Sequence, residues 1–329
     1  MRKLILLLCL LTFAAKTFAN KVDDLKTDSD VIKFLIPLKK QFAWPNVARP
    51  VIKSTEYIIA HYRCDTLVKT WNIKNWQKID LNNDGRTDLV AIVWWSDYNN
   101  NYIAIDKGDN TFQLIELNYT PSTNCELVST FKHGNDQLVV FHGAHGVVKN
   151  RTEFEFVPRN DTLIYKFGNF IEYNKAPVHH KIQSITYSTI WGWYGWNTTP
   201  KPNVDPDQNL EIDKTGNAVY TNRRSNNTYI YIKDFKRPPR KPKIDTGSFK
   251  CIIKKTDLEE IYNLIGYLNI KKLNDRYAVK WTDDTSCYLV VKFTDGSVKS
   301  IADYGGQGTW GLKYLFSKLF ALRDSQDWK

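Results

Sequence analysis

Short apolar or alternating runs, separated by segments rich in Asn, Gly and Asp, fill most of the first half of the chain. Because side chains alternate between the two faces of a strand, such runs between turn-forming residues are typical of antiparallel β-structure. They occupy residues 54–62, 89–95, 102–105, 112–117, 138–142 and 152–157. A short helix is predicted before them, where Asp28 and Asp30 precede the apolar-periodic stretch 31–36. We therefore predict a β-rich domain over residues 20–176.

The second half combines strands with two helices. Turns at 214–217 and 294–297 indicate hairpins, and further strands are predicted at residues 181–190, 229–232 and 249–253. Thr256 and Glu259 form a capping-box pattern that predicts one helix start, and Thr309 predicts another. Each helix carries an apolar stripe: Ile261, Leu264, Ile265 and Leu268 in the first, and Leu312, Leu315, Phe316, Leu319 and Phe320 in the second.

These elements predict an α+β fold. A mainly antiparallel N-terminal β domain is followed, over residues 177–329, by a C-terminal antiparallel sheet with two packed helices, because the apolar stripes need a sheet face to cover.

Residues 1–19 have the layout of a secretory signal peptide. Arg2 and Lys3 precede an apolar run over residues 4–15, and Ala19 supplies the small residue for cleavage before Asn20. The run is shorter than the roughly 20 residues that span a bilayer, which favours cleavage over a retained anchor. No later segment predicts a membrane span. We expect an exported protein of the periplasm or the extracellular space.

The formal net charge is +11, and three of the positive charges leave with the signal. The remaining basic residues are scattered, apart from a Pro-rich cluster at 236–243. Because an exported protein seldom meets nucleic acid, we expect no nucleic-acid partner. The expected partner is an envelope protein, a peptide or a glycan, and an acidic surface would be attracted by the net charge.

Four cysteines remain after signal removal: Cys64, Cys125, Cys251 and Cys287. An even number in an oxidising compartment permits two disulfides, with three possible connectivities. The pairs Cys64–Cys125 and Cys251–Cys287 would keep each bond within one predicted domain. Buried free thiols are the alternative.

The most specific chemical pattern is the acidic loop, residues 80–88. Oxygen-bearing side chains occupy its first, third, fifth and ninth positions: Asp80, Asn82, Asp84 and Asp88. Gly85 allows a sharp turn, and the Arg86 carbonyl adds an oxygen. Ca²⁺ prefers six to eight such hard ligands, so the pattern predicts a structural Ca²⁺ site. An Asx-rich turn without metal is the alternative. With apolar, strand-like residues on both sides, residues 76–95 resemble the calcium loop of FG-GAP/VCBS-type repeats.

Three further groups of residues are candidate sites. Trp191, Trp193 and Trp196 predict an exposed aromatic patch for a sugar or peptide, or else a cover over the core. His142 and His145 lie three apart in a Gly-rich segment, with no third metal ligand at a recognisable spacing. The Gly-rich turn 303–309 precedes a helix, so its amides are either an anion site or a strand-to-helix turn capped by Thr309.

The strings at 289–299 and 301–312, with Asp295-Gly296 and Asp303-Tyr304-Gly305 at their centres, resemble the end of a domain-of-unknown-function family of secreted or lipid-anchored proteins from gram-negative bacteria. The resemblance covers about residues 181–329 and implies a small α+β domain in the envelope. Where relatives carry a pair of cysteines after the first strand, this chain has the aromatic segment 191–196.

The sequence names no reaction. We expect a non-enzymatic binding module with a structural calcium site. The alternative is an envelope hydrolase with a site at the domain interface, using His142, His145 or Asp303.

Overall fold

The computed structural model describes residues 20–44, 48–62, 73–95, 98–118, 126–148, 154–191, 205–223, 246–279 and 284–329. The chain forms two compact units. Described residues up to His142 make the N-terminal unit, and those from Gly143 onward make the C-terminal unit. This division lies before the boundary predicted at residue 176.

The N-terminal unit is built on a four-stranded antiparallel sheet of strand order β1-β2-β3-β4. The unit contains α1 (Asp28–Leu35), α2 (Thr55–Tyr62), β1 (Trp76–Ile79), β2 (Asp88–Trp95), β3 (Tyr98–Asp106), β4 (Phe112–Glu116), β5 (Leu127–His133) and the start of β6 (Asp136–Val148), with a 3-10 turn at Lys40–Ala43. Strands β5 and β6 pair as an antiparallel hairpin.

The predicted helix at residues 31–36 is confirmed as α1. Thr27 caps it by accepting a hydrogen bond from the Asp30 amide, and the Asp30 carboxylate accepts one from the Thr27 amide. Val31 and Leu35 on one helix face are buried against Leu89 and other apolar residues of the sheet. Burial of this face stabilises a helix too short to persist alone in water.

Residues 54–62 do not form the predicted strand: they form α2. The Ser54 hydroxyl accepts a hydrogen bond from the Tyr57 amide at 3.2 Å, which satisfies one free donor at the helix start. Ile58 is buried, whereas Tyr57 and His61 stack one turn apart on the outside. The apolar run is too short for its periodicity to distinguish a helix from a strand.

The C-terminal unit contains a seven-stranded sheet of order β12-β11-β10-β9-β14-β15-β13. Its strands are β9 (Ile182–Trp191), β10 (Gln208–Asp213), β11 (Asn217–Asn222), β12 (Gly247–Ile252), β13 (Arg276–Ala278), β14 (Thr285–Phe293) and β15 (Val298–Tyr304). All neighbours are antiparallel except β13 and β15, which are parallel. A hairpin of β7 (Phe154–Lys166) and β8 (Asn169–Glu172) also belongs to this unit. The strand predicted at 229–232 lies outside the described residues.

Two helices, α3 (Lys255–Tyr267) and α4 (Trp310–Ser325), pack with this sheet in one core, as predicted. Thr309 caps α4 by accepting a hydrogen bond from the Leu312 amide at 3.2 Å. The predicted capping box of α3 is wrong. The helix begins at Lys255, and its N-cap residue Lys254 makes no side-chain capping bond, so Thr256 lies inside the first turn. No helix within the described ranges is long and apolar enough to cross a membrane.

The Cys251–Cys287 pair does not form, and both are free cysteines. Cys251 lies on β12 and Cys287 on β14, with three strands between them. Neighbouring strands are about 4.8 Å apart, so four strand spacings alone separate the two residues by roughly 19 Å or more, far beyond the reach of a disulfide. Burial raises the pKa of the Cys287 thiol to about 12. Cys64 and Cys125 lie outside the described residues.

Candidate metal centre

The acidic loop connects β1 to β2 in the N-terminal unit. Asn83 and Gly85 both have positive φ, 56° and 82°, which reverses the chain within a few residues. Glycine adopts such a conformation without steric cost, and asparagine tolerates it better than most residues. The sharp turn expected from Gly85 is therefore present.

The polar side chains of the loop turn inward onto its own backbone. Asp80 accepts hydrogen bonds from the amides of Asp84 at 3.2 Å and Gly85 at 2.9 Å. Asn82 also accepts from the Asp84 amide, at 3.2 Å, and Asp84 accepts from the Arg86 amide at 2.9 Å. The side chains at positions 1, 3 and 5 are thus brought together on the inner side of the turn.

Asp88 joins the loop to the sheet. Its side chain is fully buried, and its two carboxyl oxygens accept hydrogen bonds from the amides of Leu81 and Asp106, both at 2.8 Å. Burial, helped by the charges of Asp84 and Asp80, raises the pKa of Asp88 to about 7, although the hydrogen bonds from the two backbone amides oppose the shift. Asp88 therefore sits where a nearby cation would favour its ionised form.

Arg86 supplies a positive charge from within the chain. Its guanidinium pairs with the Asp84 carboxylate, and its Nε lies 3.9 Å from Asp106 Oδ1. That Nε is buried and makes no hydrogen bond. The sequence singled out the carbonyl of Arg86 as a ligand and missed the role of its side chain.

The chemistry of the loop suits a hard cation, since its inward groups are oxygens. As the side chains stand, no three His, Cys, Asp or Glu groups among the described residues form a cluster that holds a metal ion. In this arrangement the Arg86 guanidinium partly neutralises the negative charge of the Asp84 carboxylate. A bound Ca²⁺ would have to replace that contact.

Residue Asn20 also touches this region, which the sequence did not suggest. Its side-chain amide donates to the Thr87 carbonyl at 2.8 Å and to Asp106 Oδ2 at 2.5 Å. The start of the described chain is thereby attached to the end of the acidic loop.

His142 has a serine partner in the N-terminal unit. Its Nε2 and the Ser129 hydroxyl share a hydrogen bond of 2.8 Å between β5 and β6, and the histidine is buried. Nothing in the sequence spacing linked these two residues, because the pair is created by strand register. The side chain of His145 lies outside the described residues.

The Gly-rich turn 303–309 is a strand-to-helix turn. The buried Asp303 carboxylate accepts hydrogen bonds from the amides of Gln307 at 2.7 Å and Gly308 at 3.0 Å. At the start of α4, Glu172 accepts from the amides of Trp310 at 2.5 Å and Gly311 at 2.9 Å. The backbone amides that were candidates for binding an anion therefore already donate hydrogen bonds to carboxylates of the chain itself. Burial raises the pKa of Asp303 to about 6.

Of the predicted tryptophan patch, only Trp191 is described. It is half-buried at the end of β9, and its amide donates to Asp207 at 2.6 Å. Trp193 and Trp196 lie outside the described residues.

The structure reveals a second group of rings, the aromatic cluster of Tyr57, His61 and Trp94. Tyr57 stacks on His61, and both meet Trp94 edge-on with ring centres 5.1–5.5 Å apart. Lys53 lies over the Tyr57 ring at 4.6 Å. Tyr57 is 39% exposed, so the cluster presents an aromatic surface to solvent.

Comparison with known proteins identifies one family. A family model described as a domain of unknown function (DUF6438) matches residues 206–323, which run from just before β10 into the last turns of α4. No curated protein matches the chain, and no solved structure matches it. The match supports the predicted domain of unknown function in the C-terminal half of the chain.

Proposed function

We propose that this chain is an exported, non-enzymatic binding protein of the bacterial envelope. In this proposal the N-terminal unit holds one structural Ca²⁺, and the partner is an envelope protein, a peptide or a glycan. The acidic loop carries the proposal, because Asp80, Asn82 and Asp84 turn their oxygens inward beside the buried Asp88. The signal-peptide layout of residues 1–19 supports export to a compartment where Ca²⁺ is available.

Ca²⁺ would bring the side chains of Asp80, Asn82, Asp84 and Asp88 and the carbonyl of Arg86 around one ion. Three carboxylates this close repel one another, and the ion offsets the repulsion more fully than the single Arg86 guanidinium. Its role is structural: it would hold the β1–β2 connection closed.

Calorimetric titration of the mature protein with Ca²⁺ tests the site. We expect heat of binding in the wild type, and its loss in Asp84→Ala. The matched control is Asp109→Ala, an exposed aspartate in a neighbouring turn of the same unit, which should leave the heat unchanged. No heat at millimolar Ca²⁺, or equal heat in the wild type and Asp84→Ala, would refute the calcium site.

The aromatic cluster supports the binding role. Exposed rings in contact with a lysine are suited to the apolar faces of sugars and to peptide side chains. A pull-down from envelope extract, with and without chelator, should retain a partner on the wild type and lose it on Tyr57→Ala. Equal retention by both proteins would exclude the cluster as the binding surface.

A hydrolase is the second candidate, supported by the Ser129–His142 hydrogen bond, since a serine beside a histidine is the core of an activated nucleophile. A fluorophosphonate probe should then label the wild type and not Ser129→Ala. Absence of labelling in the wild type would argue against an activated serine.

A further inference from the structure

Residues 20–25 form a tight turn anchored in the core of the N-terminal unit. The Asp23 amide donates to the Asn20 carbonyl at 3.0 Å, and the Leu25 amide donates to the Val22 carbonyl at 3.1 Å. Val22 is fully buried and Leu25 almost so, within the core that also contains Val31 of α1. The turn is therefore part of the fold.

Asn20 is held by both its side chain and its main chain. It is only 7% exposed. Its side-chain nitrogen donates to the Thr87 carbonyl and to Asp106, and its side-chain oxygen accepts from the Val22 amide at 2.7 Å. Its main-chain nitrogen donates to Asp23 Oδ2 at 2.8 Å. This nitrogen belongs to the peptide bond at which the sequence predicts signal cleavage.

We infer that processing at the Ala19–Asn20 bond creates an N-terminal lock, in which the new ammonium group of Asn20 pairs with the Asp23 carboxylate. Water adds across the peptide bond in a reaction catalysed by an endopeptidase of the export machinery. The C–N bond breaks, Ala19 leaves with a carboxylate, and Asn20 retains the nitrogen as an ammonium. The inference rests on the proposed export of the chain.

The cleavage changes the charge of a hydrogen-bond donor without moving it. Before cleavage a neutral N–H donates to Asp23, and afterwards a cation does so at the same place. Lys78 lies beside this pair, but its Nζ binds the Asp23 carbonyl, at 2.6 Å, and not the carboxylate. Because Asp23 is exposed, we expect the new charge to increase the folding equilibrium constant by about twofold to fivefold.

Two measurements test the inference. Intact-mass and N-terminal analysis of the exported protein should give a chain that begins at Asn20. Urea unfolding then compares purified protein beginning at Asn20 with protein that retains Ala19, each with and without Asp23→Asn. We expect the Asn20-start protein to be the more stable, and Asp23→Asn to abolish the difference.

Asp24→Asn is the matched control. It should leave the stability difference between the two proteins intact, because the ammonium group pairs with Asp23 and not with Asp24. A mature chain that begins elsewhere would overturn the inference, and so would a stability difference that is absent or that survives Asp23→Asn. If the chain is not exported, the proposed function fails, while the unfolding comparison still decides whether the ammonium pairs with Asp23.

Discussion

Asp88 and Asp303 are buried carboxyl groups that each accept hydrogen bonds from two backbone amides. Hydrogen bonds of this kind normally lower a carboxyl pKa. Here burial outweighs them and raises the pKa to about 7 for Asp88 and about 6 for Asp303. Both groups organise a turn, but they do so at an electrostatic cost that depends on pH.

Asp303→Asn should remove a pH dependence of stability in the C-terminal unit. The folded pKa of about 6 exceeds the ordinary value of 3.8, so the folded chain binds more protons between these values. Wild-type stability should therefore fall as pH rises from about 4 to 6, by roughly 3 kcal/mol at most, and then level off. Urea unfolding at pH 4, 5, 6 and 7 measures this. Asp303→Asn loses one of the two hydrogen bonds from backbone amides, so it should be less stable than the wild type. This difference in the free energy of unfolding should shrink as pH rises, and a constant difference would contradict the prediction.

At the scale of elements, the hydrophobic period predicted α3 and α4, whereas the capping-box motif misplaced the start of α3. Apart from Phe320, which is only partly buried, the stripes of α3 and α4 are buried as expected, because two or more buried positions per turn leave only one orientation against a sheet. The α3 capping box failed because Lys254 is held by other contacts. Its amide donates to Gln326 at 2.9 Å, which starts the helix earlier than the motif indicates.

Replacing Thr309 and Thr256 by alanine should distinguish a threonine that caps its helix from one that does not. Thr309→Ala removes the acceptor for the Leu312 amide and should destabilise the C-terminal unit by about 1 kcal/mol. Thr256→Ala lies inside the first turn of α3 and should have little effect or stabilise slightly, because alanine favours helix interiors. Chemical unfolding of both variants measures the difference, and equal losses would refute the assignment of the caps.

Gly266 marks a close approach that no sequence pattern predicted. A Cβ atom there would lie 2.5 Å from the Val178 carbonyl oxygen, a main-chain atom that cannot turn aside. Gly266→Ala should therefore destabilise the unit by about 1–3 kcal/mol, although alanine is the better helix former by about 1 kcal/mol. Asn263→Ala, at an exposed position of the same helix, is the control and should not destabilise. Thermal unfolding distinguishes the two, and a stabilised Gly266→Ala protein would show that the contact relaxes without strain.

At the scale of the whole molecule, the fold class and the acidic loop followed from local sequence, whereas the aromatic cluster and the Ser129–His142 pair did not. The loop is contiguous, so its oxygen-bearing side chains are visible as a spacing in the sequence. Tyr57 and Trp94 belong to different elements, and Ser129 meets His142 only through strand register. Contacts between residues that are distant in the sequence depend on the tertiary fold, so they produce no regular spacing that sequence analysis could detect.

If the calcium proposal holds, Ca²⁺ should stabilise one unit and leave the other unchanged. A ligand that binds only the folded state, at a free concentration of a hundred times its Kd, raises the free energy of unfolding by about 2.7 kcal/mol. Hydrogen exchange with Ca²⁺ and with chelator should show greater protection in residues 73–118 and none in residues 246–329. Protection spread evenly over both ranges would contradict a site confined to the acidic loop.

The strand order of the C-terminal sheet also determines when that sheet can form. The central strand β9 pairs with β10, which follows soon after it, and with β14, which is made much later. Tyr187 and Cys287, in contact across that second pairing, are separated by 100 positions. Closing so long a loop is slow and costs chain entropy, so the centre of the sheet forms only when most of the chain has been synthesised. Late closure of this kind keeps a newly made chain unfolded for longer. If the chain is exported as proposed, this delay favours its passage through an export channel in the unfolded state.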